Sequence, residues 1–191
     1  MHGCIYSYTL PLLLFFQASI AYASAENEQE LVNHYLPQIE EYASQPAIID
    51  ALTVAAKEPF SLERTLEIDR NWLKDSNLRQ QGAAHPLTAE FKKIVDNESQ
   101  DISEILLIDI HGRLIASYPE ASDYYQGDES KYIRPMADRK YFADAPDWDE
   151  SSGRVTIQIA VPIFNNGQHI IGILVESVEV NLRILTRMNA K

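Results

Sequence analysis

Beyond its fourth residue this chain has no cysteine. Cys4 stands ahead of the apolar run "TLPLLLFFQASIAYA", so it is not placed as a lipid-attachment cysteine. The rest of the chain therefore has no thiol, no disulfide and no Cys metal ligand. Long apolar runs are equally scarce: after residue 25 nothing is long and apolar enough to span a bilayer. Positive charge is also in short supply. Lys and Arg total 16 against 28 Asp and Glu, a formal net charge of −12. Such a surface repels nucleic acid and anionic lipid, so a nucleic-acid partner is set aside. His34, His85, His111 and His169 are scattered without paired spacing and give no support to a metal site. "DES" and "SSG" are not nucleophile-elbow patterns, and Glu129-Ser130-Lys131 is only a fragment of a nuclease-like E-x-K. No enzymatic activity and no cofactor is expected.

What is present begins with a leader. The apolar run ends in small residues, and Ala23-Ser24-Ala25 fits the A-x-A rule for cleavage, although "MHGCIYSY" carries no Lys or Arg. Residues 1–25 are read as a cleaved signal peptide that exports the chain to the periplasm, the alternative being a retained N-terminal anchor. A chain of 191 residues, 46% hydrophobic and 23% charged, is large enough to bury a real core. Residues 26–191 are read as one domain.

Periodicity divides that domain in two. Over 26–100 it is helical. In "ENEQELVNHYLPQIEEYASQ", Leu31, Tyr35, Ile39 and Tyr42 line one face, with Pro37 expected to kink or interrupt it. "PAIIDALTVAAKE" places Pro46 in a first helical turn. "SLERTLEIDRNWLKDS" has Ser61 as N-cap and Leu62, Leu66, Asp69 and Leu73 on one stripe. "PLTAEFKKIVDNES" is a fourth, shorter helix. Over 103–182 the pattern is that of strands. "EILLIDIHGRLIASY" is two strands around the turn Asp109-Ile110-His111-Gly112. "RVTIQIAVPIF" and "HIIGILVESVEV" flank Asn165-Asn166-Gly167, a hairpin signal. Val155, Ile157, Ile159 and Val161 alternate with Thr156, Gln158 and Ala160, which predicts one buried and one partly polar face. The closing "NLRILTRM" reads as a short helix or frayed end. Helices followed by an antiparallel sheet indicate an α+β fold.

Four passages in this order resemble the Cache sensor domains of bacteria, specifically the single-module PDC type with a PAS-like sheet. They are "LEIDRNWLKDS" with its Asp-x-x-Trp, "EILLIDIHGRLIAS" with Asp-x-x-Gly, the loop "SDYYQGDESKY", and "DRKYFADA" followed by "VTIQIAVPIFNNGQHIIGILVESVEV". The resemblance covers roughly residues 46 to 180. It implies helices packed on one side of a five- or six-stranded sheet, with a small-molecule pocket between the sheet and the long middle loop. It also implies a sensor that binds a carboxylate- or amine-bearing ligand. With no output segment in the sequence, signalling is expected through a separate, membrane-bound partner. A different reading is a protein-interaction subunit with a degenerate pocket. It would dock on a membrane receptor's outer domain through a helical surface that includes Leu31, Tyr35 and Tyr42.

The candidate ligand residues follow from chemistry and from that resemblance. Arg139, at the family's Arg-x-Tyr-Phe position, offers a planar fork to a carboxylate, with Tyr141 and Phe142 beside it. Tyr124, Tyr125, Tyr132, Asp123, Asp128 and Glu129 provide aromatic faces and carboxylates suited to an amine. Gly127 is expected to provide a positive φ. Ser177 falls where the family pattern places an Asp on the last strand that takes a ligand amine. Trp72 and Trp148 are read as core or loop anchors.

Overall fold

The computed structural model describes residues 28–97, 101–149, 153–166 and 169–180. The expected leader, the closing "NLRILTRM" and Gly167 of the second hairpin lie outside the described residues. No described helix is long and apolar enough to cross a membrane.

The described part of α1 covers 28–43. Leu31, Tyr35 and Ile39 are buried and Tyr42 is half-buried, as their spacing predicts. Of the two outcomes expected at Pro37, interruption does not occur: the helix runs through it. Pro37 sits on the exposed side with Asn33, whose carbonyl loses its ladder partner where water is at hand. In α2 (Pro46–Ala55) Pro46 occupies the first turn, and Ile48, Leu52 and Ala55 face inward. Ser61 caps α3 (Leu62–Trp72) by accepting the Arg64 N–H at 3.3 Å. The buried stripe of α3 is not the one the leucines suggested. Leu62 and Leu73 are 47% and 68% exposed, while Thr65 and Trp72 are buried, with Ile68 packed beside Trp72. α4 (Ser76–Ala83), too polar to show a clear apolar period, was not expected. α5 (Pro86–Val95) is the predicted fourth helix and buries Leu87 and Phe91.

The strands are β1 (Ile102–Asp109), β2 (Leu114–Tyr118), β3 (Phe142–Ala143), β4 (Asp147–Asp149), β5 (Arg154–Asn165) and β6 (His169–Glu179), with α6 (Ser130–Asp138) between β2 and β3. They form a six-stranded sheet in the order β2-β1-β6-β5-β3, with β4 also on β5. Every pairing is antiparallel, so the expected α+β fold is what the chain adopts. Both sheet faces are covered. On one, Ile105, Leu107, Ile157, Ile159 and Leu174 pack against Leu31, Ile39, Leu52 and Phe91 of α1, α2 and α5. On the other, Leu106, Ile108, Leu114, Ile173 and Val175 pack against Trp72 of α3 and Ala121 of the middle loop, with Tyr132 and Met136 of α6. The helices are therefore not confined to one side. Leu31 and Tyr35 belong to the core and are not available as a docking surface.

The β1–β2 turn forms as predicted. Gly112 N–H donates to the Asp109 carbonyl at 3.0 Å, and Gly112 has φ +77°. The Asp109 carboxylate accepts the backbone N–H groups of His111 and Arg113 at 2.8 and 2.9 Å. It also accepts Arg113 Nε at 2.7 Å in a buried ion pair. The turn then docks on the middle loop, since Gln126 N–H donates to the Gly112 carbonyl at 2.8 Å. A Cβ on Gly127 would come within 2.6 Å of the Tyr125 ring. Gly127 is thus a close-approach glycine and not a positive-φ one, which corrects the sequence reading; the positive-φ glycines among the described residues are Gly112 and Gly153.

Candidate functional site

The second face of the sheet changes character along its length. Near the β1–β2 turn it presents Leu106, Ile108 and Ile173; toward the start of β1 it presents Glu104, Thr156, Gln158 and Ser177. Register brings three of these into one row, because Ser177 on β6 pairs with Glu104 on β1 and with Gln158 on β5. Ser177 Oγ donates to Glu104 Oε2 at 3.0 Å, and Gln158 Nε2 donates to Ser177 Oγ at 3.4 Å. Above this row is a cavity of about 530 Å³, floored by Glu104, Thr156 and Gln158. Its walls come from Glu120, Ala121 and Ser122 of the middle loop, Lys131 of α6, and Asp144, Asp147, Trp148 and Asp149 around β4. That size is in the range of small-molecule sites.

The electrostatics are dominated by carboxylates. Burial pushes the Glu104 carboxyl above its usual range; Lys131 and the Ser177 hydrogen bond pull it back, and Asp149 and Glu129 add to the rise. Lys131 is buried with its ammonium 3.0 Å from the Glu129 carboxylate. Two apolar side chains stand exposed at the rim, Trp148 at 58% and Leu73 at 68%. Trp148 is therefore no core anchor, whereas Trp72, 3% exposed, is one.

The middle loop is held by the Asp-x-x-Trp pair of α3. Three positions apart on a helix puts both side chains on one face. The Asp69 carboxylate accepts the N–H groups of Tyr124 and Tyr125, each at 2.9 Å. The Trp72 indole N–H donates to the Ala121 carbonyl at 2.9 Å.

The residues singled out from sequence do not converge. Of the stretch 122–133, only Ser122 and Lys131 line the cavity. Tyr124 packs on Trp72, with ring centroids 5.4 Å apart, in a separate apolar recess. Tyr125 covers Gly127, and the Asp123 carboxylate accepts the Gln126 side-chain amide. Asp128 is exposed, and Glu129 pairs with Lys131. The Tyr132 hydroxyl, pushed up to about 12 by burial, donates to the Ile110 carbonyl at 2.6 Å. Ser177 is in the polar row beneath the cavity. Arg139 ends α6 in the left-handed conformation with its guanidinium 5.3 Å from the Phe164 ring centroid. Arg139 and Tyr141 line a different recess of about 330 Å³, beside Glu40 and Ala43 of α1 and Val161–Phe164 of β5. Phe142, half-buried on β3, lies under the Arg134 guanidinium.

Sequence reasoning missed Glu104 and Lys131. Glu104 stands just ahead of the apolar run of β1, in a polar phase like that of Thr156 and Gln158 on β5. Lys131 had no signal of its own, because the helix that buries it is masked by Pro135.

No protein-family model and no curated protein matches the chain. Solved structures do resemble it. The sensor domain of the V. cholerae histidine kinase DctB aligns with a TM-score of 0.53 at 14% identity, covering 95% of this chain and 60% of that one. The ligand-binding domain of the Pseudomonas aeruginosa PAO1 amino acid chemoreceptor PctC, solved with GABA, gives 0.48 at 16%, covering 91% and 63%. The E. coli DcuS sensor domain gives 0.40 at 16%, covering 68% and 94%. This chain thus spans less than two thirds of the length of the first two. The alignment with DctB carries the assignment of architecture: helices on a six-stranded antiparallel sheet, the fold of a Cache (PDC) sensor domain.

Proposed function

We propose that this domain is a small-molecule-binding sensor module without catalytic activity, working in the periplasm and passing its signal to a membrane-bound partner. One observation carries the reading: a cavity of about 530 Å³ over a hydrogen-bonded polar row on the sheet. Its walls are elements that can respond to an occupant, namely the loop strapped to α3, α6 and the short β4 segment. The fold, shared with receptor sensor domains, is consistent with this use.

Thermal-shift screening against amino acids, carboxylates, amines and nucleobases tests the reading. A ligand at about a hundred times its Kd stabilises the fold by about 2.7 kcal/mol through mass action, a shift of several degrees. A domain that no compound of any class stabilises has no such function. The same screen separates the two recesses. Arg139, in its own cavity with Tyr141, is a proposed anchor for an anion at that second recess. Arg139→Ala is expected to leave binding in the central cavity within about twofold of wild type; a tenfold loss there would place Arg139 in the same site after all.

A further inference from the structure

We propose that the central cavity selects an organic cation, a primary amine or guanidinium, and that Glu104 is its anchor. This rests on the small-molecule reading above and adds the ligand's charge and the residue that holds it. The cavity is lined by the acids Glu104, Glu120, Asp144, Asp147 and Asp149 and by one base, Lys131. Glu120 pairs with Arg79, and Lys131 pairs with Glu129 while its field also reaches Glu104. An anion entering here meets carboxylates on the floor and on the β4 wall. A cation meets opposite charge on both.

Glu104 differs from the other acids in its position. It is on the floor, at the row where β1, β6 and β5 are in register, and Ser177 fixes its carboxylate by donating to Oε2. That hydrogen bond leaves the other carboxylate oxygen for a ligand, on a rigid strand and not on a mobile loop. Ser177 thus acts as a positioning residue. Burial, which raises the Glu104 pKa, also means that a cation placed beside it is repaid strongly. At the mouth, Trp148 offers an exposed indole and Leu73 an aliphatic side chain, surfaces suited to an organic cation's charge and carbon chain.

The test is calorimetric titration of the whole chain with butylamine, 1,4-diaminobutane and agmatine, and with butyrate, succinate and butanol as matched anionic and neutral probes. Expected are binding of at least one cation, no binding of the anions, and a loss of at least tenfold in Glu104→Gln. Glu104→Asp, which keeps the charge, retains part of the affinity, and Ser177→Ala loses a smaller part. Wild-type affinity falls as pH drops through the Glu104 titration, and this dependence disappears in Glu104→Gln. If Glu104→Gln does not fold, unchanged affinity in both Glu104→Asp and Ser177→Ala overturns the assignment. Tighter binding of an anionic or neutral probe overturns it too, while leaving the small-molecule reading intact. Failure of every probe and of the wider ligand screen defeats both.

Discussion

Glu176→Gln is expected to stabilise the domain by about 3 kcal/mol at pH 8 and to change it little at pH 4. Glu176 is on β6, on the opposite sheet face from Ser177, and is 2% exposed. Its Oε2 has no hydrogen-bond partner among the described residues. Burial pushes its carboxyl from 4.5 up to about 7. A rise of that size is worth on the order of 3 kcal/mol, since each unit is about 1.4 kcal/mol. The sign follows from proton linkage. The folded state holds the proton more tightly than the unfolded state, so between about 4.5 and 7 it binds more protons, and stability falls as pH rises. The contribution is intact below 4.5 and lost above about 7. The surroundings give no relief: Tyr42, its own hydroxyl pushed up to about 12, is raised by burial and by the fields of Glu90 and Glu176. Denaturant titrations of wild type and Glu176→Gln across pH 4–8 measure the effect. Parallel stability curves for the two proteins would show that Glu176 does not titrate in this way.

Trp72→Ala is expected to cost about 3–5 kcal/mol, the usual range for emptying a large buried aromatic site. Here the loss has a second part, because the indole N–H that holds the Ala121 carbonyl goes with the ring. Trp72→Phe separates the two. It keeps most of the packing against Leu106, Ile108 and Tyr124 and forfeits the hydrogen bond, for about 1–2 kcal/mol. Since Ala121 lines the central cavity, both variants are expected to expose residues 119–129 to limited proteolysis before global unfolding. Asp69→Ala, which strips the acceptor from Tyr124 and Tyr125, is expected to give the same cleavage pattern. Cleavage only in step with global unfolding would mean that α3 does not hold the loop independently.

These two residues also show how far the sequence could be read. The Asp-x-x-Trp pair was visible, but its task was not: Leu62 and Leu73, both exposed, drew the expected stripe away from Thr65 and Trp72. Leucines are strong helix formers, and nothing local reports that Asp69 is needed by a loop more than fifty residues away. The same applies to α6. Pro135 and Lys131 make "SKYIRPMAD" look irregular, yet both are buried once the helix lies against the sheet.

Local chemistry by itself determined the order of the main elements, with α4, α6, β3 and β4 as the exceptions. The 3.6-residue and 2-residue periods separated helices from strands, and Ser61, Pro46 and the Asp109–Gly112 turn fixed boundaries through interactions with near neighbours. It also determined that one face of β5 would be partly polar, because alternation is a property of the strand alone. Only the tertiary structure decided which polar residues meet. Glu104, Gln158 and Ser177 come from three strands and share a row because of sheet register, which depends on pairing across as many as 73 positions. Likewise Arg139 and Tyr124, close in sequence, end in different recesses, because α6 and the sheet edge carry them apart. A binding site is set by such long-range packing, and the amino-acid pattern encodes it only through the fold as a whole.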